Sequence, residues 1–152
     1  MMGGGLRAFV CVVIGLVASM AFVAAQDGQA PAQGRQGSNR NGWNVPAAAA
    51  EEKNPLTVND AVVAAGKKLF GSKCQRCHGP DGKGNGQDAD PMLQQDMNLT
   101  VAARAARNPD GVVFYKVWNG RTSPKMPAFS QELTKEQVWA IVAYVQTLRA
   151  KQ

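Results

Sequence analysis

Cys74-Gln75-Arg76-Cys77-His78 sets the strongest limit on what this chain can become. It puts two thiols about one helical turn apart with an imidazole directly after them. The whole sequence holds three cysteines and one histidine, so a disulfide-rich scaffold is excluded, as is any site that needs two histidines. C-x-x-C-H is the attachment signature of c-type haem, and the order of the residues has a chemical reason. Each thiol can form a thioether with one of the two haem vinyl groups, and the next residue then lies under the ring, where a neutral imidazole can bind iron. A zinc site would want four ligands and a second cysteine pair, which the chain lacks. A redox-active dithiol ordinarily follows a strand of an α/β domain, and no strand is evident. A plain disulfide would explain neither His78 nor the size of the core. The expected cofactor is one covalently attached haem c.

The chain is 152 residues long with a formal charge of +6, which allows one ordinary domain. Residues 1–25 carry Arg7 near the start, continue as an apolar run from Ala8 to Ala25 with Ser19 its one polar side chain, and turn polar at Gln26. A positive start, an apolar stretch and a small-residue exit describe a secretory signal, with an uncleaved anchor as the alternative. Cys11 would leave with it. Residues 26–55 are rich in Gln, Gly, Asn and Ala without apolar periodicity, which reads as a flexible polar linker in which only Trp43 asks for a partner. The folded domain is therefore expected over residues 56–152. A domain of about 95 residues has a small core and gains from a staple such as a cofactor.

Within it, Asn59 or Asp60 can cap a helix with Val62, Val63, Gly66, Leu69 and Phe70 at helical spacing. Gly79 to Gly86 reads as loop, Pro91 as the start of an extended stretch, and Thr100 to Arg107 as a short helix. Asn108-Pro109 opens another helix that Gly120 stops, with Phe114, Tyr115 and Trp118 read as core. Thr134 and Gln137 form a capping box with Leu133 and Val138 as a staple, ahead of an apolar face of Val138, Ile141, Val142, Val145 and Leu148. The fold class predicted is all-α, with four or five helices.

The run from Cys74 to Gly84, ending His78-Gly79-Pro80-Asp81-Gly82-Lys83-Gly84, resembles the C-x-x-C-H-G-x-D-G-x-G segment of bacterial monohaem class I cytochromes c. The resemblance covers Leu56 to Leu148. It includes Gly66 and Phe70, which look like that family's glycine-plus-aromatic contact with a C-terminal helix carrying Ile141 and Tyr144. It implies the small cytochrome c fold wrapped around one haem. With no second histidine, the residues left for the sixth position include Met92, Met97 and Met126. Met126-Pro127-Ala128-Phe129 resembles the family's M-P-x-F ligand loop, so the expected metal ligands are His78 and Met126, with Met97 and Lys125 as alternatives. The family also holds the Nδ1 proton of the histidine on a proline carbonyl, for which Pro91 is preferred to Pro80.

Histidine–methionine ligation closes the iron and favours the ferrous state, which argues for a carrier of single electrons and against catalysis. The competing reading is an open or labile sixth position that serves a peroxidase or a small-ligand sensor. The partners expected are redox proteins with acidic docking surfaces, met through Lys73, Arg76, Lys83, Arg121 and Lys125 around the haem edge. Export makes nucleic acid an unsuitable partner for the positive charge. The protein is expected to be periplasmic and monomeric, and to meet a membrane only through an uncleaved signal or a membrane-bound partner.

Overall fold

Asn59 starts the first long helix of the domain, its side chain accepting a hydrogen bond from the Val62 amide at 3.0 Å. This cap leaves Asp60 as the first residue of a helix whose N-terminus favours negative charge. A computed structural model of the chain describes residues 38–39 and 42–150. The expected signal at 1–25 and the first part of the expected linker lie outside the described residues. The helices are α1 (Ala47–Glu51), α2 (Asp60–Lys73), α3 (Gln75–His78), α4 (Gln94–Met97), α5 (Asp110–Asn119) and α6 (Lys135–Ala150). Single 3₁₀ turns cover Pro91–Leu93 and Ala102–Arg104. A two-residue antiparallel ladder joins β1 (Ser38–Asn39) to β2 (Trp43–Asn44), too short for any alternation to announce it. The described domain is all-α in substance, as expected.

The core is organised by the crossing of α2 over α6. Gly66 meets the Ala140 backbone so closely that a Cβ would overlap its carbonyl group. Without one, the two helix axes can approach until Phe70 reaches Tyr144, their rings edge to face with centroids 5.3 Å apart. Phe70, Val138, Ile141 and Val142 are almost wholly buried there. On the other flank α5 packs on α6 through Phe114, whose ring stacks on Trp139 at 4.2 Å and on Trp118 at 5.7 Å. Phe114 and Trp139 are buried in the core and Trp118 packs half-buried against it, in line with the reading of Phe114 and Trp118 as packing residues. The α6 capping box forms as read: Thr134 Oγ1 accepts from the Gln137 amide at 3.2 Å, and Gln137 Oε1 accepts from the Thr134 amide at 2.9 Å.

Four local expectations need correction, the first being the short helix read from Thr100 to Arg107, of which only Ala102–Arg104 forms, as one 3₁₀ turn. Pro91 does not begin an extended stretch. The Asp90 carboxylate accepts from the Met92 amide at 2.8 Å, and Pro91, lacking an amide to satisfy, opens a turn that continues into α4. Pro109 occupies the cap of α5 and Asp110 its first position; Asn108 instead uses its side chain on Arg104 and Lys116. Residues 42–55, read as flexible linker, carry β2 and α1, and Trp43 and Val45 are buried in a small cluster with Val112 of α5. Composition hid this because two apolar side chains among polar residues have no period. Their partner, Val112 of α5, lies far along the chain, beyond the reach of any local pattern.

Candidate haem-binding site

α3 is a single turn that follows α2 with almost no break. The Cys74 amide still donates to the Phe70 carbonyl at 2.8 Å, and the Cys74 carbonyl accepts from the amides of Cys77 at 3.2 Å and His78 at 3.0 Å. The two thiols and the imidazole therefore sit on one tight helical turn, and the thiols are not joined to each other. Burial, with Cys77 beside it, pushes the Cys74 thiol up to about 12, so it stays protonated.

A one-turn helix exposes carbonyls that need partners, and the following loop supplies them. Gly84 donates to the His78 carbonyl at 2.7 Å, Gly86 to Cys77 at 3.3 Å and Asp88 to Arg76 at 2.8 Å. The loop is tied onward by the Leu99 amide on the Gly82 carbonyl at 2.7 Å. That link brings residues 97–99 beside His78, and the histidine Nδ1 lies 2.7 Å from the carbonyl oxygen of Met97. A carbonyl only accepts, so Nδ1 carries the proton and the lone pair is on Nε2. This corrects the expected proline: neither Pro91 nor Pro80 holds the ring, because the turn and α4 carry Pro91 away and deliver the Met97 backbone. Met97, weighed as a ligand by its sulfur, takes part by its carbonyl oxygen. A backbone acceptor leaves no side-chain signature, so sequence reasoning had no signal for it.

His78 is held below the usual imidazole range, chiefly by burial, with the Met97 carbonyl opposing and Arg121 adding to the depression. It is therefore neutral near pH 7, with Nε2 available. Phe70 tilts beside it, ring centroids 6.5 Å apart. This donor set fits a covalently held haem: two unpaired thiols, and a neutral imidazole oriented by its far nitrogen.

Met126 sits on a loop that leaves α5 at Gly120. Here φ is +60°, and a Cβ would collide with the backbone at Met126 and Pro127. Arg121 and Met126 then exchange both backbone hydrogen bonds at 2.9 Å, closing a small ring that contains the cis Ser123–Pro124 bond. Met126 is half-buried and packs against both the main core and the Trp43 cluster. The charge of Arg121, at the root of this loop, acts on His78, so the loop and α3 share one electrostatic neighbourhood. An open groove of about 360 Å³ runs beside Met126 from Asn119 to Ala128. A second depression of about 390 Å³, between the loop at Pro80 and α6, touches none of the four predicted site residues.

The five cations expected at a docking edge are not equivalent. Lys73 pairs with Glu132 at 2.7 Å and Arg76 with Asp88 at 2.7 Å. Arg121 lies over the Trp43 ring, while Lys83 and Lys125 are exposed.

A small helical domain with a C-x-x-C-H turn and an oriented neutral histidine defines a haem protein of the c type. Comparison with known proteins narrows the class. Residues 63–149 match the cytochrome c family. The chain is 33% identical over 91 residues to cytochrome c6 of Parathermosynechococcus lividus, covering 60% of this chain and 95% of that protein. It is 32% identical over 91 residues to cytochrome c6 of Synechococcus elongatus, with the same coverage. Among solved structures it resembles a chain of the reducing HAO-like protein complex of Kuenenia stuttgartiensis, with a TM-score of 0.52 and 25% identity. That likeness covers 64% of this chain and 49% of the other. The chain belongs to the cytochrome c family: it is a small monohaem class I cytochrome with one covalently attached haem c, an electron carrier between redox partners and not an enzyme. Among the described residues no helix is long and apolar enough to cross a membrane.

Proposed function

We propose that the protein is an exported, periplasmic shuttle of single electrons whose haem is attached at Cys74 and Cys77 and ligated by His78 and Met126. The observation that carries the reading is the His78 Nδ1 hydrogen bond to the Met97 carbonyl. It fixes the tautomer and leaves the Nε2 lone pair free for a metal, which supports His78 as a ligand. Haem c, when attached, supplies a one-electron ferric–ferrous couple. The residues of the chain do the rest. The Met97 carbonyl makes the imidazole a stronger donor by drawing on its Nδ1 proton. The Met126 thioether is a soft ligand, which raises the potential. With His78 and Met126 both serving as ligands, the bound haem would offer no seat for a substrate.

Partners are redox proteins that present acidic surfaces to a monomer of this chain. Arg121 and Lys125 flank the groove beside Met126, and attraction there would speed encounter without adding much to residence time. The ion-paired Lys73 and Arg76 contribute less, since their charge is already matched by Glu132 and Asp88. The apolar run at residues 8–25 supports export.

The test is the visible to near-infrared spectrum of the mature holoprotein. A six-coordinate low-spin spectrum with the weak methionine–iron charge-transfer band, lost in Met126→Ala, is expected. A high-spin ferric spectrum that changes with added ligand would overturn the closed-site reading in favour of a peroxidase or a sensor.

A further inference from the structure

Trp43 precedes the residues that match the cytochrome c family, yet it is 9% exposed. Its partners are the root of the Met126 loop and the helix from which that loop departs. The Arg121 guanidinium lies over the indole ring, 4.7 Å from its centroid, and Lys116 Nζ lies at 5.4 Å. Together with Val45 and Val112, the ring forms a cluster against which Met126 itself packs. One residue earlier, the backbone passes the loop closely enough that a Cβ on Gly42 would stand 3.3 Å from the Ser123 carbonyl oxygen. Arg121 is also the residue that exchanges both backbone hydrogen bonds with Met126. The strap is anchored behind this contact by α1, whose backbone meets α5 so tightly that a Cβ on Gly111 would overlap the Ala49 carbonyl.

From these contacts we infer that residues 42–51 form a clamp on the Met126 loop, and that Trp43 positions the thioether by holding Arg121. The inference rests on the reading of Met126 as an axial ligand. A thioether binds iron weakly, so it stays bound only as long as its loop stays closed. Loops held by few hydrogen bonds open locally at low free-energy cost. An exogenous ligand can enter only in the open form, so its apparent affinity reports the fraction of molecules in which the loop has opened. Loss of the ring–cation contact raises that fraction.

The experiment is a titration of ferric holoprotein with imidazole, read at the methionine–iron charge-transfer band. In Trp43→Ala the apparent imidazole affinity should rise about 3- to 30-fold, the range a partly buried cation–π contact provides. Trp43→Phe keeps a ring under the guanidinium and should recover most of the wild-type value. Val138→Ala, a truncation in the core of α6, should lower the melting temperature and leave imidazole affinity unchanged, which separates positioning from general loss of stability. Should Trp43→Ala fail to accumulate as holoprotein, Arg121→Gln decides on the same criterion, since it removes the cation and leaves the ring. If the wild type shows the band and Trp43→Ala binds imidazole as the wild type does, the clamp is refuted while Met126 ligation stands. If the wild type lacks the band, both readings fall together.

Discussion

Gly66→Ala tests the helix crossing on which the whole domain depends, because two effects of opposite sign act on it. In an isolated helix, alanine is favoured over glycine by about 1 kcal/mol. In this structure the added Cβ would overlap the carbonyl oxygen and carbon of Ala140 and lie 3.1 Å from the Ile141 nitrogen. All three obstacles are backbone atoms of α6, so no side chain can rotate out of the way and the helices must separate. Overpacking of that kind costs about 3 kcal/mol, the upper part of the usual range. The net expectation is a loss of about 2 kcal/mol, or about 8–16 °C in melting temperature for a domain of this size. The assay is thermal unfolding of the holoprotein followed by far-ultraviolet circular dichroism. Ala65→Gly, at an exposed neighbouring site in α2, measures the propensity term alone and should lose about 1 kcal/mol. Separation of α2 and α6 would also shift Phe70, whose ring sits 6.5 Å from His78, so the Soret spectrum should change in Gly66→Ala and not in Ala65→Gly. If Gly66→Ala were as stable as the wild type or more so, the close-approach argument would be wrong.

Two further outcomes follow from the helix ends and the core. Thr134→Ala removes the hydroxyl that accepts from the Gln137 amide and should cost about 1 kcal/mol in denaturant unfolding. Tyr144 is buried against α2, and burial, then Asp81, raises its phenol above the ordinary value of 10.0. The folded state thus holds the phenolic proton more tightly than the unfolded chain. Its contribution is fully present below about pH 10 and is lost as pH rises through the folded value. Tyr144→Phe should therefore lose less stability than the wild type between pH 9 and pH 11 in parallel denaturant titrations, and identical slopes would show that the phenol is not protected.

The parts of this protein that were legible in the sequence are those whose physics is local. C-x-x-C-H reads out because thioether and iron chemistry demand fixed spacing along one turn. The α6 capping box reads out because donor and acceptor are three residues apart. The apolar faces of α2 and α6 read out because helical period turns adjacency in sequence into adjacency on a surface. The crossing at Gly66 was legible only through the resemblance to a family with a glycine-plus-aromatic helix contact, and its physical reason is that without a Cβ two helix backbones can approach closely.

Tertiary structure decided what depends on residues far apart. The carbonyl that orients His78 belongs to Met97, 19 residues away; any residue can offer a carbonyl, so only the path of the loop between Gly79 and Leu99 could select it. Trp43 and Val45 became part of the domain because α5 presents Val112 to them, and no pattern within the polar N-terminal stretch encodes that surface. Charge was only half determined: composition counts every lysine and arginine alike, but the fold pairs Lys73 and Arg76 with carboxylates, sets Arg121 over an indole, and leaves Lys83 and Lys125 to solvent. Chemistry that lives within one helical turn is written in the order of residues. Chemistry that needs a backbone atom or a face from elsewhere in the chain exists only once the chain has closed on itself.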